Sequence, residues 1–122
     1  MTERLRALRG ATTVEVDQKQ DIIDATSELI EQMMERNEVA KEDLVSIIFT
    51  ATPDLTSEFP AAAARAKGIS DIPLLCAAEV DVAGAIPRVI RVLMHLYSST
   101  GPTELRHVYL REAKPLRTDL HQ

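Results

Sequence analysis

The stretch Gly84-Ala85-Ile86-Pro87-Arg88-Val89-Ile90-Arg91-Val92-Leu93-Met94-His95-Leu96-Tyr97 (GAIPRVIRVLMHLY) decides the fold. Its apolar residues Ile86, Val89, Ile90, Leu93, Met94 and Tyr97 recur at spacings of three and four, which predicts a long helix burying that stripe. Pro87 suits such a helix only in its first turn. Read this way, the segment is the second of two long helices, and the remaining elements must build the sheet that they cover.

Residues 4 to 14 alternate as a strand and grade into the β-branched run Thr12-Thr13-Val14. Asp17 reads as an N-cap, with Gln20 completing a capping box, for a helix that ends near Asn37. That helix places Ile22, Ile23, Leu29, Ile30, Met33 and Met34 on one stripe and Glu28, Glu31, Glu35 and Arg36 largely outside it. A helical turn over Lys41 to Leu44 leads into Val45 to Ala51, an apolar, β-branched run suited to an interior strand. Thr52 to Ser57 reads as a loop. Pro60 then opens a helix through Ala61 to Lys67, with Gly68 as its C-terminal cap. Pro73 to Ala78 is a short strand, Ser98 to Thr103 a turn-rich connection, and Leu105 to Arg111 a last strand.

The order strand, helix, strand, short helix, strand, helix, strand predicts an α/β (α+β) fold, a mixed sheet covered on one face by two long helices. The other apolar face calls for self-association, so a homo-oligomer is expected. There is no repeat and no internal linker. Residues 1–122 form one domain, with 115–122 as a mobile C-terminal tail.

A net charge of -5 over 122 residues argues against a nucleic-acid surface or a basic membrane footprint. An anionic ligand would have to be drawn by a few arginines focused in a cleft, which makes each arginine's position informative. Only four aromatic residues are present, Phe49, Phe59, Tyr97 and Tyr109, so the core is mainly aliphatic. Cys76 is the single cysteine, which excludes an intrachain disulfide and zinc-finger spacing. No apolar run approaches the ~18 residues of a membrane span. These features predict a cytoplasmic protein.

Phosphate loops, dinucleotide turns, nucleophile elbows and metal-binding helix motifs are all missing. His95, His107 and His121 show no spacing for shared ligation, and no metal or cofactor is expected. For Cys76 a small buried residue is the favoured reading over a nucleophile. Glu79 is either a solvated strand end or a buried carboxylate in need of a partner. Arg88 and Arg91, taken alone, read as a charged helix flank. Arg9 in Leu8-Arg9-Gly10-Ala11-Thr12-Thr13-Val14 and Tyr109 stand in apolar strands, which points to a purpose without naming it. The inventory describes a cleft rich in guanidinium and poor in acid-base or covalent machinery.

Five segments together carry a family resemblance: RGATTVE from Arg9 to Glu15, TATPDLTSEFPAAAAR from Thr50 to Arg65, PLLCAAEVDVAG from Pro73 to Gly84, IRVLM from Ile90 to Met94, and RHVYLREAKPLR from Arg106 to Arg117. In this order, over nearly the whole chain, they resemble the AroH-class monofunctional chorismate mutases. The resemblance implies conversion of chorismate to prephenate, for phenylalanine and tyrosine biosynthesis, by an intramolecular [3,3] rearrangement needing no cofactor. It also implies a homotrimeric pseudo-barrel with active sites between subunits.

By position within these motifs, Arg91 is implied to face the ether oxygen of the substrate. Arg9 and Tyr109 are implied to bind its side-chain carboxylate, and Glu79 and Cys76 its ring hydroxyl. Phe59, Ala61, Leu74, Leu75 and Leu116 are implied as the pocket wall, with Arg65 and Arg117 near the ring carboxylate. Leu75 departs from the family pattern, in which a hydroxyl residue can stand there, so only its backbone is left for polar contact. Arg4, Arg6, Arg88, Arg106 and Arg111 match no catalytic position. The competing reading is a non-catalytic trimeric module that binds a small carboxylate or aromatic ligand; an imine-directed hydrolase, with Glu79 as its base, is a further one.

Overall fold

The computed structural model describes residues 2–117, without the side chain of Arg117. Strand β1 (Arg4–Thr13) leads to helix α1 (Lys19–Arg36), a 3-10 turn at Lys41–Asp43 and strand β2 (Leu44–Ala51). Helix α2 (Ala61–Ala66), strands β3 (Leu74–Ala78), β4 (Val89–Ser98) and β5 (Val108–Tyr109), and a 3-10 helix at Arg111–Arg117 follow. One five-stranded sheet has the order β3-β2-β4-β1-β5. Its β1–β4 and β2–β4 pairs are antiparallel and its β1–β5 and β2–β3 pairs parallel, so the sheet is mixed, as expected.

The second long helix does not form: the segment that suggested it becomes β4, the central strand. All ten of its residues pair with β1, from Val89 opposite Thr13 to Ser98 opposite Arg4. Val92, Met94 and Leu96 are buried while Arg91, Leu93, His95 and Tyr97 look the other way, the period-2 burial of a strand. Arg88, just before it, has a φ of 53°, a left-handed backbone that closes off helical propagation from Pro87. That turn is held by its N–H on Asp54 (3.0 Å to Oδ2) and its Nε on the carbonyl of Val14 at 2.9 Å. Arg88, which sequence reading leaves as a surface or interface charge, is a structural pin.

The last strand is also shorter than expected, two residues instead of Leu105 to Arg111. Leu105 is instead buried in the core, and Arg111, at φ 52°, turns the chain into the final 3-10 helix. Pro115 to Arg117 lie in that helix, and residues 118–122 of the expected tail, with His121, lie outside the described residues.

Helix α1 buries Leu29, Ile30 and Met33 against Leu8, Ile47, Phe49, Val92, Met94 and Leu96 on one face of the sheet, and Ile22 and Ala25 against Val14 and Ile90. Each large apolar side chain buried there stabilises the fold by roughly 1.5–3 kcal/mol. Gly10 lets the helix approach: a Cβ there would stand 2.5 Å from Met33 Sδ and 3.0 Å from Leu29 Cδ1. Asn37 ends α1 as expected and staples it to the segment before β5. Its Nδ2 donates to the carbonyls of Met33 and Arg106, and its Oδ1 accepts from Arg106 N–H at 2.7 Å. Gly68 closes off helix α2 just past its C-cap Lys67, its φ of 81° accompanying the Ile69 N–H bond back to Ala64.

Among the described residues no α-helix packs on the opposite face of the sheet, where the final 3-10 helix covers Ala11 and Tyr109 while Leu5 and Tyr97, cross-strand partners, are 53% and 50% exposed. Among the described residues no helix is long and apolar enough to cross a membrane.

Candidate active site

The functional side chains gather on this open face because of register. Arg91 of β4 stands opposite both Ala11 of β1 and Thr50 of β2, while Ala11 is also the partner of Tyr109. One row further, Arg9 is opposite Leu93, and Leu93 opposite Ile48. Two rows of the sheet thus bring Arg9, Arg91 and Tyr109 to the walls of one hollow of about 260 Å³, together with Ile48, Thr50 and Leu93.

Glu79 joins them from the end of β3, where its N–H donates to the carbonyl of Ala51 at 2.9 Å. Arg91 Nε donates to Glu79 Oε1 at 3.2 Å and lies 3.1 Å from Oε2. The carboxylate side chain is only 16% exposed, against 43% for the arginine, so this pair is partly desolvated and stronger than a free surface pair. Glu79 is therefore the buried carboxylate with a partner, not the solvated strand end. Thr50 Oγ1 supplies its third contact, donating to Oε2.

Arg9 is held by its backbone, not by its side chain. Its N–H donates to His107 Nδ1 at 3.0 Å, which leaves that nitrogen of the buried imidazole unprotonated. The exposed guanidinium of Arg9 has no hydrogen-bond or ion-pair partner among the described residues. Tyr109 is 3% exposed and packs with Ala11, Ala113 and Leu116, so Leu116 of the final 3-10 helix backs the hollow through Tyr109.

Phe59 and Cys76 belong to a second, larger hollow of about 470 Å³, walled by the loop from Thr52 to Pro60 and the ends of β2 and β3. Phe59 is 65% exposed there. Ala61 is buried at the start of α2, and Leu74 packs against the core. Leu75 lies opposite Ile48 on the open face, 60% exposed. Arg65 is exposed on α2 and lines neither hollow. The side chain of Arg117 lies outside the described residues.

The Phe59 loop is fastened by a residue that sequence reading assigns elsewhere. Asp17 is not the N-cap of α1: Gln18 takes that place, without a side-chain cap. The Asp17 carboxylate instead accepts from the N–H and hydroxyl of Thr56, both at 3.0 Å, and from Ser57 N–H at 3.1 Å. Desolvation pushes its carboxyl up, but the Thr56 and Ser57 hydrogen bonds outweigh that and hold it below the ordinary value. Thr52 secures the other end, accepting from Val89 N–H at 2.9 Å while donating to Asp54 at 2.6 Å. Thr50, Asp17 and His107 thus shape the site, although sequence reading gives none of them a part in it. The only sequence signal for Thr50 is a hydroxyl inside the apolar run VSIIFTA.

A cluster of two arginines and a tyrosine, with one carboxylate held against an arginine, suits a compact polyanion better than acid-base chemistry. The family model for chorismate mutase type I matches residues 5–120. The chain belongs to the chorismate mutase type I family. It is 52% identical over 117 residues to chorismate mutase AroH of Thermus thermophilus, covering 95% of this chain and 96% of that one. To chorismate mutase AroH of Bacillus subtilis (strain 168) it is 41% identical over 117 residues, 95% and 92% of the two chains. A solved structure, chorismate mutase from Clostridium thermocellum Cth-682, superposes with a TM-score of 0.88 at 42% identity, covering 89% of this chain and 97% of that one. The mixed sheet with its single helical layer is thus shared with a chorismate mutase.

Proposed function

We propose that the two hollows are halves of one chorismate site, completed when copies of the chain meet. The protein is a chorismate mutase, an isomerase whose substrate is chorismate and whose product is prephenate. The rearrangement breaks a C–O bond as a C–C bond forms within one molecule. What the protein can contribute is a fixed reactive conformation and positive charge at the ether oxygen.

Arg91 is assigned to that oxygen. Glu79 occupies its Nε and leaves the terminal amino groups to donate. Arg9 and Tyr109 bind the side-chain carboxylate, and Glu79 accepts from the ring hydroxyl, with Cys76 as a second contact. Phe59, Ala61, Leu74, Leu75 and Leu116 make the wall, and Arg65 and Arg117 draw the ring carboxylate at the mouth. Since Arg9 and Arg91 line one hollow and Phe59 and Cys76 another, we assign the two sets to adjacent subunits of a homotrimer whose sheets form a pseudo-barrel. The open sheet face, with Leu5 and Tyr97 half exposed, supports this assembly. The single cysteine suits a cytoplasmic location.

The observation that carries the reading is the convergence of Arg9, Arg91 and Tyr109 on one hollow, with Glu79 braced on Arg91. The test is incubation with chorismate. Its ultraviolet absorbance should decay, and acid should turn the product into phenylpyruvate. Binding without decay would instead favour a non-catalytic ligand module.

A further inference from the structure

Thr50 stands directly opposite Arg91 in the sheet, half-buried on the open face. It lines the arginine hollow, but its hydroxyl is spent on Glu79, donating to Oε2. A glutamate has three side-chain torsions, and facing an arginine it can pair with Nε or move onto the terminal amino groups in the usual fork. The observed pairing is through Nε alone, at 3.1 and 3.2 Å to the two oxygens. A hydroxyl on the neighbouring strand that grips one oxygen holds the carboxylate at that side of the guanidinium. The terminal amino groups are then left for an acceptor in the hollow that Arg91 itself lines.

We propose that Thr50 is a positioning residue: its hydroxyl pins Glu79 so that Glu79 orients Arg91 with the terminal amino groups free for the reacting oxygen. Without it the carboxylate is free to slide into the fork and take the donors that the reacting oxygen needs as charge develops on it in the transition state. Thr50 touches no reacting atom and acts through Glu79. The inference rests on the chorismate reading of this hollow, and the experiment separates the two.

The test compares the parent, Thr50→Val, Thr50→Ser and Glu79→Ala, alone and combined with Thr50→Val, in chorismate turnover. Valine keeps the shape and suits a strand, so the fold should hold; Thr50→Ala replaces it if it does not. Loss of orientation predicts a kcat lower by about 10-fold for Thr50→Val, with KM nearly unchanged. Thr50→Ser should stay close to the parent, and Thr50→Val should add little once Glu79 is alanine. A Thr50→Val enzyme matching the parent, a Thr50→Ser enzyme as impaired as Thr50→Val, or an undiminished Thr50→Val loss in the Glu79→Ala background overturns the positioning role alone. A parent that does not consume chorismate overturns the functional reading, and this inference with it.

Discussion

Arg91 stands between a carboxylate and an open hollow, and each side of its guanidinium has a separate task. Arg91→Ala removes the donor assigned to the ether oxygen and strands the partly buried Glu79, so turnover of chorismate should fall by at least ~10²-fold. Arg91→Lys should recover little, because one ammonium cannot replace a planar fork that serves Glu79 and substrate at once. Steady-state kinetics of both variants check this; near-parental turnover in Arg91→Ala would remove the electrostatic role. Arg9 was conspicuous in the sequence as a cation inside an apolar strand. Its neighbour Gly10 makes room for α1 rather than for ligand, since Met33 and Leu29 fill the space beside it.

Helix α1 and the Phe59 loop are the elements whose seating the site depends on. Gly10→Val drives a branched side chain into Met33 Sδ and Leu29, and overpacking of this kind costs about 1–3 kcal/mol. Urea unfolding should show that loss. Gly10→Ala should be far milder, since the end of a methionine side chain can swing aside. The Asp17 clamp gives the loop a pH dependence with a definite sign. Because the folded carboxyl lies below the ordinary value of 3.8, the clamp stabilises fully above that value and is lost as pH falls through the lower, folded one. The melting temperature of Asp17→Ala should therefore lie below the parent's at neutral pH, and the gap should close on acidification below 3.8. A gap independent of pH would rule the clamp out.

At the scale of the whole molecule, the open sheet face bears on assembly. Tyr97→Glu places a charge on that face opposite Leu5. The parent should run in solution at three times the 13.5 kDa chain mass, and the variant at lower mass with reduced turnover but its helical and strand signals intact. Light scattering with circular dichroism checks this. A parent that is monomeric and fully active would dispose of the shared site.

By itself the sequence determined the elements whose signals are local. The stripe of α1, the Gly68 cap of α2, the β-branched run of β2 and the single covered sheet face all follow from periodicity and backbone preference. The five motif segments from Arg9 to Arg117, taken together and in order, were enough to reach the family. Tertiary structure alone decided the state of Val89–Ser98. Its apolar residues satisfy both a helical and a two-residue period, and only pairing with β1 and β2 on both sides, after the left-handed turn at Arg88, makes the strand the lower-energy solution. It alone also brought Thr50 to Glu79 and Asp17 to Thr56, because contacts between residues 29 and 39 positions apart depend on register and loop closure, which no local pattern encodes.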